Sequence, residues 1–324
     1  MRVSIVVITR NEERNISLCL DALLAQKYTQ PFEIVVADGQ STDATPKIVK
    51  SYSKRHKNVR FFTDKGRFQN SSRNVGVRKA NYEFIAFTDA DCIPPKDWLN
   101  NLARKYCSYE KTVPHLAGVG GANIPLAEKD DFTTAIGIAF NSFLGSLGSI
   151  QAKPLKKDGQ VFSLSCTNCL FEKKALFHVG LFPTYAGNMG DDWILGLLLK
   201  KKGYVLMGLK DSFVWHKFRP TPIKFWKNMV LYGRVRMGFL KKQFSDNNPL
   251  YLLPLAFGIV IASSLLAIWN PLFFIPLLYF PGTLIYAIIL SAKAKKLHLS
   301  GQVFLVFLLL HFGYCVGEYR GIVR

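Results

Sequence analysis

Asp89-Ala90-Asp91 places two carboxylates one residue apart at the end of an apolar run. Hard oxygen ligands of this kind suit Mg²⁺ or Mn²⁺, ions that bind one or two carboxylates together with substrate phosphates. A D-x-D followed by Pro94-Pro95 is also what a solvated turn looks like, and only its place after a strand favours the metal. A second acidic pair, Asp191-Asp192, sits in Gly190-Asp191-Asp192-Trp193 ahead of an apolar helical stretch. A carboxylate there can cap the helix, or it can serve as a general base that takes a proton from an incoming hydroxyl. His216, after Phe213-Val214-Trp215, is either a core histidine or a further metal ligand. Cys166-Thr167-Asn168-Cys169 lacks the second cysteine pair that a structural zinc site needs.

The elements that must position these groups alternate. Val3–Thr9, Glu33–Ala37, Val59–Phe62 and Glu83–Thr88 have the β-branched, apolar character of strands. Glu12–Ala25, Ala44–Lys54 and Asn70–Lys79 have the spacing of helices, the second with Thr42 or Asp43 as its cap and Pro46 in its first turn. This βαβαβαβ order predicts an α/β fold on a parallel, doubly wound sheet whose ligands bind outside the carboxyl ends of the strands. Polar clusters fall there: Thr9-Arg10-Asn11-Glu12, Asp38 to Asp43, Lys65-Gly66-Arg67 and Asp89-Ala90-Asp91. Asp38 can accept a hydrogen bond from a base or a ribose, whereas capping accounts for Asp43. No G-x-G-x-x-G or P-loop glycine pattern follows a strand, so polar side chains rather than a glycine cradle would hold a nucleotide. Beyond the fourth strand, Leu116–Asn123 and Val161–Leu170 are expected strands and Trp193–Lys202 a helix. The small-residue segment Thr133–Ser149 is either a mobile loop or an interfacial helix.

The 324 residues are 49% hydrophobic, ample for a packed core, and carry six cysteines, too few to staple so long a chain, which excludes a disordered chain and a disulfide-stapled one; the formal charge is +20. The charge is concentrated. Lys217–Lys242 holds eight basic residues and no acidic one, interleaved with Phe218, Phe225, Trp226, Tyr232 and Phe239. That composition fits an amphipathic helix in a bilayer interface. It also fits single-stranded nucleic-acid binding, which the adjoining apolar segment disfavours. From Asp246 no charge recurs until Lys293, room for two helices of about 20 residues each hinged at Asn270-Pro271. A third apolar stretch, Val303–Val316, is expected to span as well. The start of the chain is not a signal peptide, and lysines flank the hairpin on both sides. The N-terminal part is therefore expected to stay cytoplasmic in a multi-pass cell-membrane protein. The expected organisation is a catalytic domain over 1–216, a basic interfacial segment over 217–248, and a membrane domain over 249–324 with helices near 250–269, 272–290 and 302–318.

In this order, VVITRNEE at Val6–Glu13, VADGQSTDAT at Val36–Thr45, SSRNVG at Ser71–Gly76, DAD at Asp89–Asp91 and GDDW at Gly190–Trp193 resemble family 2 glycosyltransferases of the GT-A fold. YGRVR at Tyr232–Arg236, the apolar hairpin and HFGYCVG at His311–Gly317 resemble the membrane-anchored subgroup that includes the succinoglycan glucosyltransferase, with Cys315 where that group has glycine. The resemblance implies a UDP- or GDP-sugar donor, Mn or Mg as cofactor, and a lipid-linked acceptor at the membrane, with no nucleic acid. By the same resemblance Thr9, Arg10, Glu12 and Asp38 hold the nucleoside, Arg73 and Asn74 shape the donor pocket, and Asp89 and Asp91 meet the ribose and the metal-bound diphosphate. His216 is a further candidate metal ligand beside Asp89 and Asp91 by analogy with sites that mix histidine and carboxylates, and Arg234 and Arg236, instead of lying in the interface, can turn inward onto the donor diphosphate. Asp192 is the base, and Gly120, Gly121, Asn168 and Asp191 lie near the acceptor. Asp191-Asp192 stands where Glu-Asp is more usual, and Thr9-Arg10 where Pro-x-Tyr is. The Q-x-x-R-W motif of processive synthases is replaced by YGRVR, which favours transfer of a single sugar. The alternatives are a lipid-phosphate glycosyltransferase and a non-catalytic membrane scaffold.

Overall fold

The computed structural model describes residues 1–66, 68–126, 130–146, 155–184, 191–217, 221–242 and 252–323. Expectations resting on Arg67, Gly190, Phe218 and Arg219, on the Leu250 end of the first apolar helix, and on the side chains of Asp191, Phe239 and Lys242 lie outside them. The chain forms two compact units, Met1–Leu126 with Ser149–Lys217 and Ala127–Gly148 with Phe218–Arg324.

The first unit begins with the alternation expected: β1 (Val3–Thr9), α1 (Ile16–Leu24), β2 (Phe32–Asp38), α2 (Thr45–Arg55), β3 (Val59–Thr63), α3 (Gln69–Lys79) and β4 (Phe84–Asp89). Neighbouring strands pair in parallel in the order β3-β2-β1-β4. Every residue of β1 is buried, as a central parallel strand covered on both faces must be. Val3, Ile5 and Val7 pack against Leu20 and Leu23 of α1, whereas Val6 faces the opposite core with Val77 and Phe87. In α1 the buried positions Ile16, Cys19, Leu20 and Leu23 form the stripe that a 3.6-residue period puts on one face. Helix α2 starts at Thr45, and Asp43 accepts from its N–H at 3.0 Å, one residue short of the capping position expected for Asp43.

The chain continues through β5 (Cys92–Ile93), α4 (Trp98–Glu110) and β6 (Leu116–Pro125), and leaves the first unit for α5 (Asp131–Phe140) and α6 (Phe143–Ser146). It returns as β7 (Gly159–Val161), β8 (Cys169–Glu172), α7 (Lys173–His178), α8 (Asp191–Lys201) and β9 (Val205–His216). Strand β8 runs antiparallel between β4 and β6, and β9 lies parallel to β6, completing a mixed sheet. The single strand expected over Val161–Leu170 is thus two short ones. A turn separates them: Asn168 N–H bonds to the Ser165 carbonyl at 3.0 Å, and the Ser165 and Thr167 hydroxyls pair at 2.8 Å.

The second unit is helical: α5, α6, α9 (Pro222–Lys242), α10 (Leu253–Ala262), α11 (Tyr279–Lys293) and α12 (Ser300–Val323), with 3₁₀ segments at Ser263–Ile268 and Pro271–Leu278. Ala127–Gly148, placed by sequence among the first 216 residues, groups here because Phe132, Ala135 and Ile136 of α5 share a core with Phe225, Val303 and Phe307. Pro271–Lys293 and Leu297–Val323 are long and apolar enough to cross a membrane, while Leu253–Ile268 is shorter. Helices α9 and α12 touch at the backbone. A Cβ on Gly317 would stand 2.1 Å from the Val230 carbonyl oxygen, and one on Gly233 2.3 Å from that of Tyr314. The glycines of HFGYCVG are therefore a helix-packing device. Its histidine is a tether: His311 Nε2 donates to the Leu144 carbonyl at 3.1 Å, which leaves Nδ1 to accept from the Tyr279 hydroxyl at 2.8 Å.

Candidate active site

The carboxyl ends of β1, β2 and β4 bring Thr9, Asp38 and Asp89 side by side, with Thr9 opposite Asp38 and Ile8 opposite Asp89 in the strand register. The loops after β1 and β2 interlock. Asn11 N–H bonds to Ser41 Oγ at 2.8 Å, Thr42 N–H to Asn11 Oδ1 at 2.8 Å, and Glu12 N–H to Thr45 Oγ1 at 2.8 Å. Both loops need a left-handed residue, Asn11 at φ 55 and Gln40 at φ 60. Asp38 is buried, and its carboxylate accepts from Ser41 Oγ at 2.5 Å and Ser41 N–H at 3.0 Å. The Thr9 hydroxyl is buried and lacks a hydrogen-bond partner among the described residues. Glu12 is buried and accepts from Asn15 Nδ2 at 2.7 Å, and Arg10 is exposed.

The D-x-D turn is held by the far end of the sheet. Immediately after Asp91 the chain pairs as β5 with the end of β9, Cys92 opposite His216 and Ile93 opposite Trp215, and Lys217 N–H bonds to the Asp91 carbonyl at 3.0 Å. This crossing brings His216 Nε2 to 3.3 Å from Asp91 Oδ1. The donor atoms of Asp91, Cys92 and His216 lie within 4.8 Å of one another. Burial opposes a charge on His216, but Asp91, and Asp89 with it, outweigh burial and raise its pKa above the ordinary value. Burial pushes the Cys92 thiol well above its usual range, so it stays protonated and the ligand set is carboxylate and imidazole. That set fits Mn²⁺ or Mg²⁺.

Arg73, on the buried face of α3, places Nη2 3.3 Å from Asp89 Oδ1. Burial works against its charge, but Asp89 and then Asp192 counter that and hold the guanidinium protonated. Asp89 itself is raised by burial and by Asp91, with Arg73 pulling the other way. Asp192, half-buried in the first turn of α8, accepts from Trp193 N–H at 2.8 Å. Burial lifts its carboxyl above the ordinary range, opposed by that hydrogen bond and by Arg73. One buried cation is thus paired with the D-x-D turn through Asp89 and is also felt electrostatically by Asp192.

Other sequence candidates have different partners. Asn74 braces the chain after α7, with Nδ2 on the Phe182 carbonyl at 2.8 Å and Oδ1 on the Phe182 N–H at 2.9 Å. Asn168 is wholly buried, and its amide is committed to Trp98 Nε1, Ser212 Oγ and the Ala122 carbonyl. Gly120 and Gly121 permit close strand packing: a Cβ on Gly121 would stand 2.0 Å from the Ser212 carbonyl oxygen. Arg234 and Arg236 belong to the helical unit, where Arg236 Nε lies 3.9 Å from buried Glu318. Sequence reasoning missed Asp64, just past β3, which accepts from Ser71 Oγ at 2.8 Å, Ser72 Oγ at 3.0 Å and Gly66 N–H at 2.9 Å. The clue was its position at a strand end, shared with Asp38 and Asp89.

The profile of glycosyl transferase family 2 matches residues 4–180. A Methanococcus voltae protein, named dolichyl N-acetyl-alpha-D-glucosaminyl phosphate 3-beta-D-2,3-diacetamido-2,3-dideoxy-beta-D-glucuronosyltransferase, is 28% identical over 98% of both chains. Glycosyltransferase AglE of Haloferax volcanii is 27% identical over 67% of each. Among solved structures, the mannosyltransferase PcManGT from Pyrobaculum calidifontis, in complex with GDP-Man and Mn²⁺, aligns with a TM-score of 0.61 at 19% identity over 95% of this chain and 86% of that one. Staphylococcus aureus TarS 1–349 with UDP-GlcNAc aligns with a TM-score of 0.52 at 18% identity over 95% and 91%. The mixed sheet is accordingly a GT-A fold, as expected from the motifs, and the chain belongs to glycosyltransferase family 2.

Proposed function

We propose that this enzyme moves one sugar from a UDP- or GDP-sugar to a polyprenyl-linked saccharide at the cytoplasmic face of a membrane, with inversion at the anomeric carbon. The observation that carries the reading is the Asp91–His216 pair in the D-x-D turn whose other carboxylate, Asp89 at the carboxyl end of β4, is paired with Arg73, which Asp192 also influences. The name of the full-length Methanococcus relative, a transferase to a dolichyl-phosphate-linked sugar, supports the lipid-linked acceptor. The two long apolar helices support residence in the membrane.

In this reading Thr9, Arg10, Glu12 and Asp38 surround the nucleoside, with the unpartnered Thr9 hydroxyl available to it. Asp91 and His216, with Asp89 beside them, would hold a divalent cation, which when bound neutralises charge on the departing diphosphate. Asp192 takes the acceptor proton on its carboxylate as the hydroxyl oxygen attacks the anomeric carbon, and the bond to the nucleoside diphosphate breaks on the opposite face. A carboxyl raised above the usual range is a better match to a hydroxyl proton than an ordinary aspartate, provided it is ionised at the working pH. Arg73 is a positioning residue: its charge opposes the upward shift that burial imposes on both Asp89 and Asp192. Arg236 is already engaged by Glu318, so the proposed donor site rests on the first unit.

The test is transfer of radiolabel from a panel of UDP- and GDP-sugars into the lipid fraction of membranes carrying the enzyme, with Mn²⁺, EDTA and Asp192→Asn arms. Metal-dependent labelling from one donor, lost in the variant, is expected. Label released by mild acid as a sugar on a lipid monophosphate would replace the saccharide acceptor by a lipid phosphate. Failure of every donor to bind would leave the scaffold reading in its place.

A further inference from the structure

The helical unit contains a groove of about 640 Å³ between α9 and α12. Its polar lining is cationic, with Lys227 and Arg234 from α9 and Arg320 from α12, and Trp226 and Tyr319 stand beside these cations. All three basic side chains are exposed, and among the described residues none has an acidic partner. Glu318, the only carboxylate on α12, is fully buried and accepts from Leu255 N–H at 3.0 Å. The rest of the wall is apolar, formed by Val230, Leu231 and Val323. The groove lies towards the charged end of α12, where an apolar helix long enough to cross a membrane gives way to Arg320.

Three unpaired cations call for a multivalent anion such as a phosphate, because guanidinium and phosphate form charge-assisted, geometrically matched pairs. Trp and Tyr are the side chains found at the membrane–water interface. Apolar walls beside the charges call for hydrocarbon attached to that anion. A free nucleotide meets the first demand and not the second.

We propose that this groove binds the phosphate and the first isoprene units of the acceptor's lipid carrier. The proposal rests on the reading of the enzyme as a transferase to lipid-linked acceptors. It assigns Arg234 to the lipid phosphate rather than to the donor diphosphate, the other role its sequence allows.

The test uses the full chain in phosphatidylcholine nanodiscs, titrated with a radiolabelled polyprenyl monophosphate. Unlabelled polyprenol, phosphatidylglycerol and inorganic phosphate serve as competitors. Loss of one charge-assisted contact is expected to weaken binding about tenfold in Arg320→Gln and in Lys227→Gln, with Arg320→Lys between Arg320→Gln and wild type because it keeps the charge and loses the fork. Donor-nucleotide affinity, read on the same preparations, is expected to be unaltered, showing that the variants are folded. Polyprenol and inorganic phosphate should compete poorly. Wild-type lipid affinity in both Gln variants would overturn the proposal. So would equal competition by phosphatidylglycerol, which marks a general anionic surface, or by inorganic phosphate, which marks a free-anion site. If sugar still reaches lipid with an unchanged lipid KM in Arg320→Gln, this groove alone is refuted. If no lipid is ever labelled or bound by the wild type, the lipid-acceptor reading falls and the groove with it.

Discussion

The two units of this chain position side chains by opposite means. In the α/β unit most of the acidic candidates sit at strand ends and are fixed by polar contacts: Asp38 by Ser41, Asp64 by two serines and an amide, Asp89 by Arg73, and Asp91 by His216. In the helical unit the main device is the removal of side chains. Gly233, Gly313, Gly317 and Gly321 let two backbones touch, and polar ties such as His311 to Tyr279 and Leu144 and Glu318 to Leu255 join the helices around them. Polar networks confer directionality at the cost of desolvation, and they suit chemistry. Close backbone packing needs no water-derived driving force and suits an apolar solvent. The same kind of change, one buried atom group, should therefore have different consequences in the two units.

The largest effect is expected at Asp192. Replacement by Asn removes the proposed base while keeping the shape, and turnover should fall by roughly 10²–10⁴. Stability should move the other way. The folded pKa of Asp192 is raised, so its ionised form opposes folding above that pKa, and the deficit vanishes as pH falls through it. Asp192→Asn is thus expected to melt no lower than wild type at neutral pH, with the difference closing in acid, which a thermal melt across pH would read. The wild-type rate should show an acid limb displaced above the ordinary carboxylate range. Loss of activity together with a lowered Tm would mean that Asp192 is only a helix cap.

Arg73→Met comes next. Removing one partner of a buried ion pair costs about 3–5 kcal/mol. Here two carboxylates lose their cation, and both Asp89 and Asp192 should then protonate more readily. Denaturant unfolding should show the loss, and an acid limb shifted to higher pH should accompany whatever activity survives. An unshifted limb would separate Arg73 from the base.

In the helical unit the corresponding change adds atoms rather than removing charge. Gly317→Leu drives a side chain into the Val230 carbonyl and should cost about 1–3 kcal/mol through overpacking. Hydrogen exchange should place the loosening in α9 and α12, with β1–β4 protected as before. Equal loosening of both units would show that they fold as one and would erase the contrast drawn between them.

The α/β unit was the more legible of the two in sequence, for a physical reason. Strand ends in a parallel sheet face one crevice, so alternation alone brings Thr9, Asp38 and Asp89 together. The partnership of Asp91 with His216 depends on β5 doubling back onto β9, a two-residue strand with no periodicity to detect. Asn168, which resemblance places near the acceptor, is held by Trp98 and Ser212, distant in sequence, so its surroundings could not be read from its neighbours in the chain. The apolar helices were visible from the absence of charge. The recruitment of α5 into their core was hidden, because the small residues of Thr133–Ser149 suit a loop or an interfacial helix alike and find their apolar partners only in three dimensions.

The smallest effect tests the polar side of the contrast at its most local. Gln40 holds φ 60 with a side chain that gains little from it, donating only to the exposed Lys65 carbonyl at 2.7 Å. Asn11, at φ 55 in the loop that interlocks with it, uses the same conformation to accept from Thr42. A left-handed backbone costs a residue with a Cβ about 1–2 kcal/mol relative to glycine, and glycine gives part of that back through the entropy of its unfolded chain. Gln40→Gly should therefore stabilise the α/β unit by under about 1 kcal/mol, whereas Asn11→Gly should destabilise it, because the bond to Thr42 is lost along with the strain. If the two substitutions change stability alike, backbone conformation governs these loops and the interlocking side chains are incidental. If they diverge in sign, the side-chain contacts are what hold the crevice in shape.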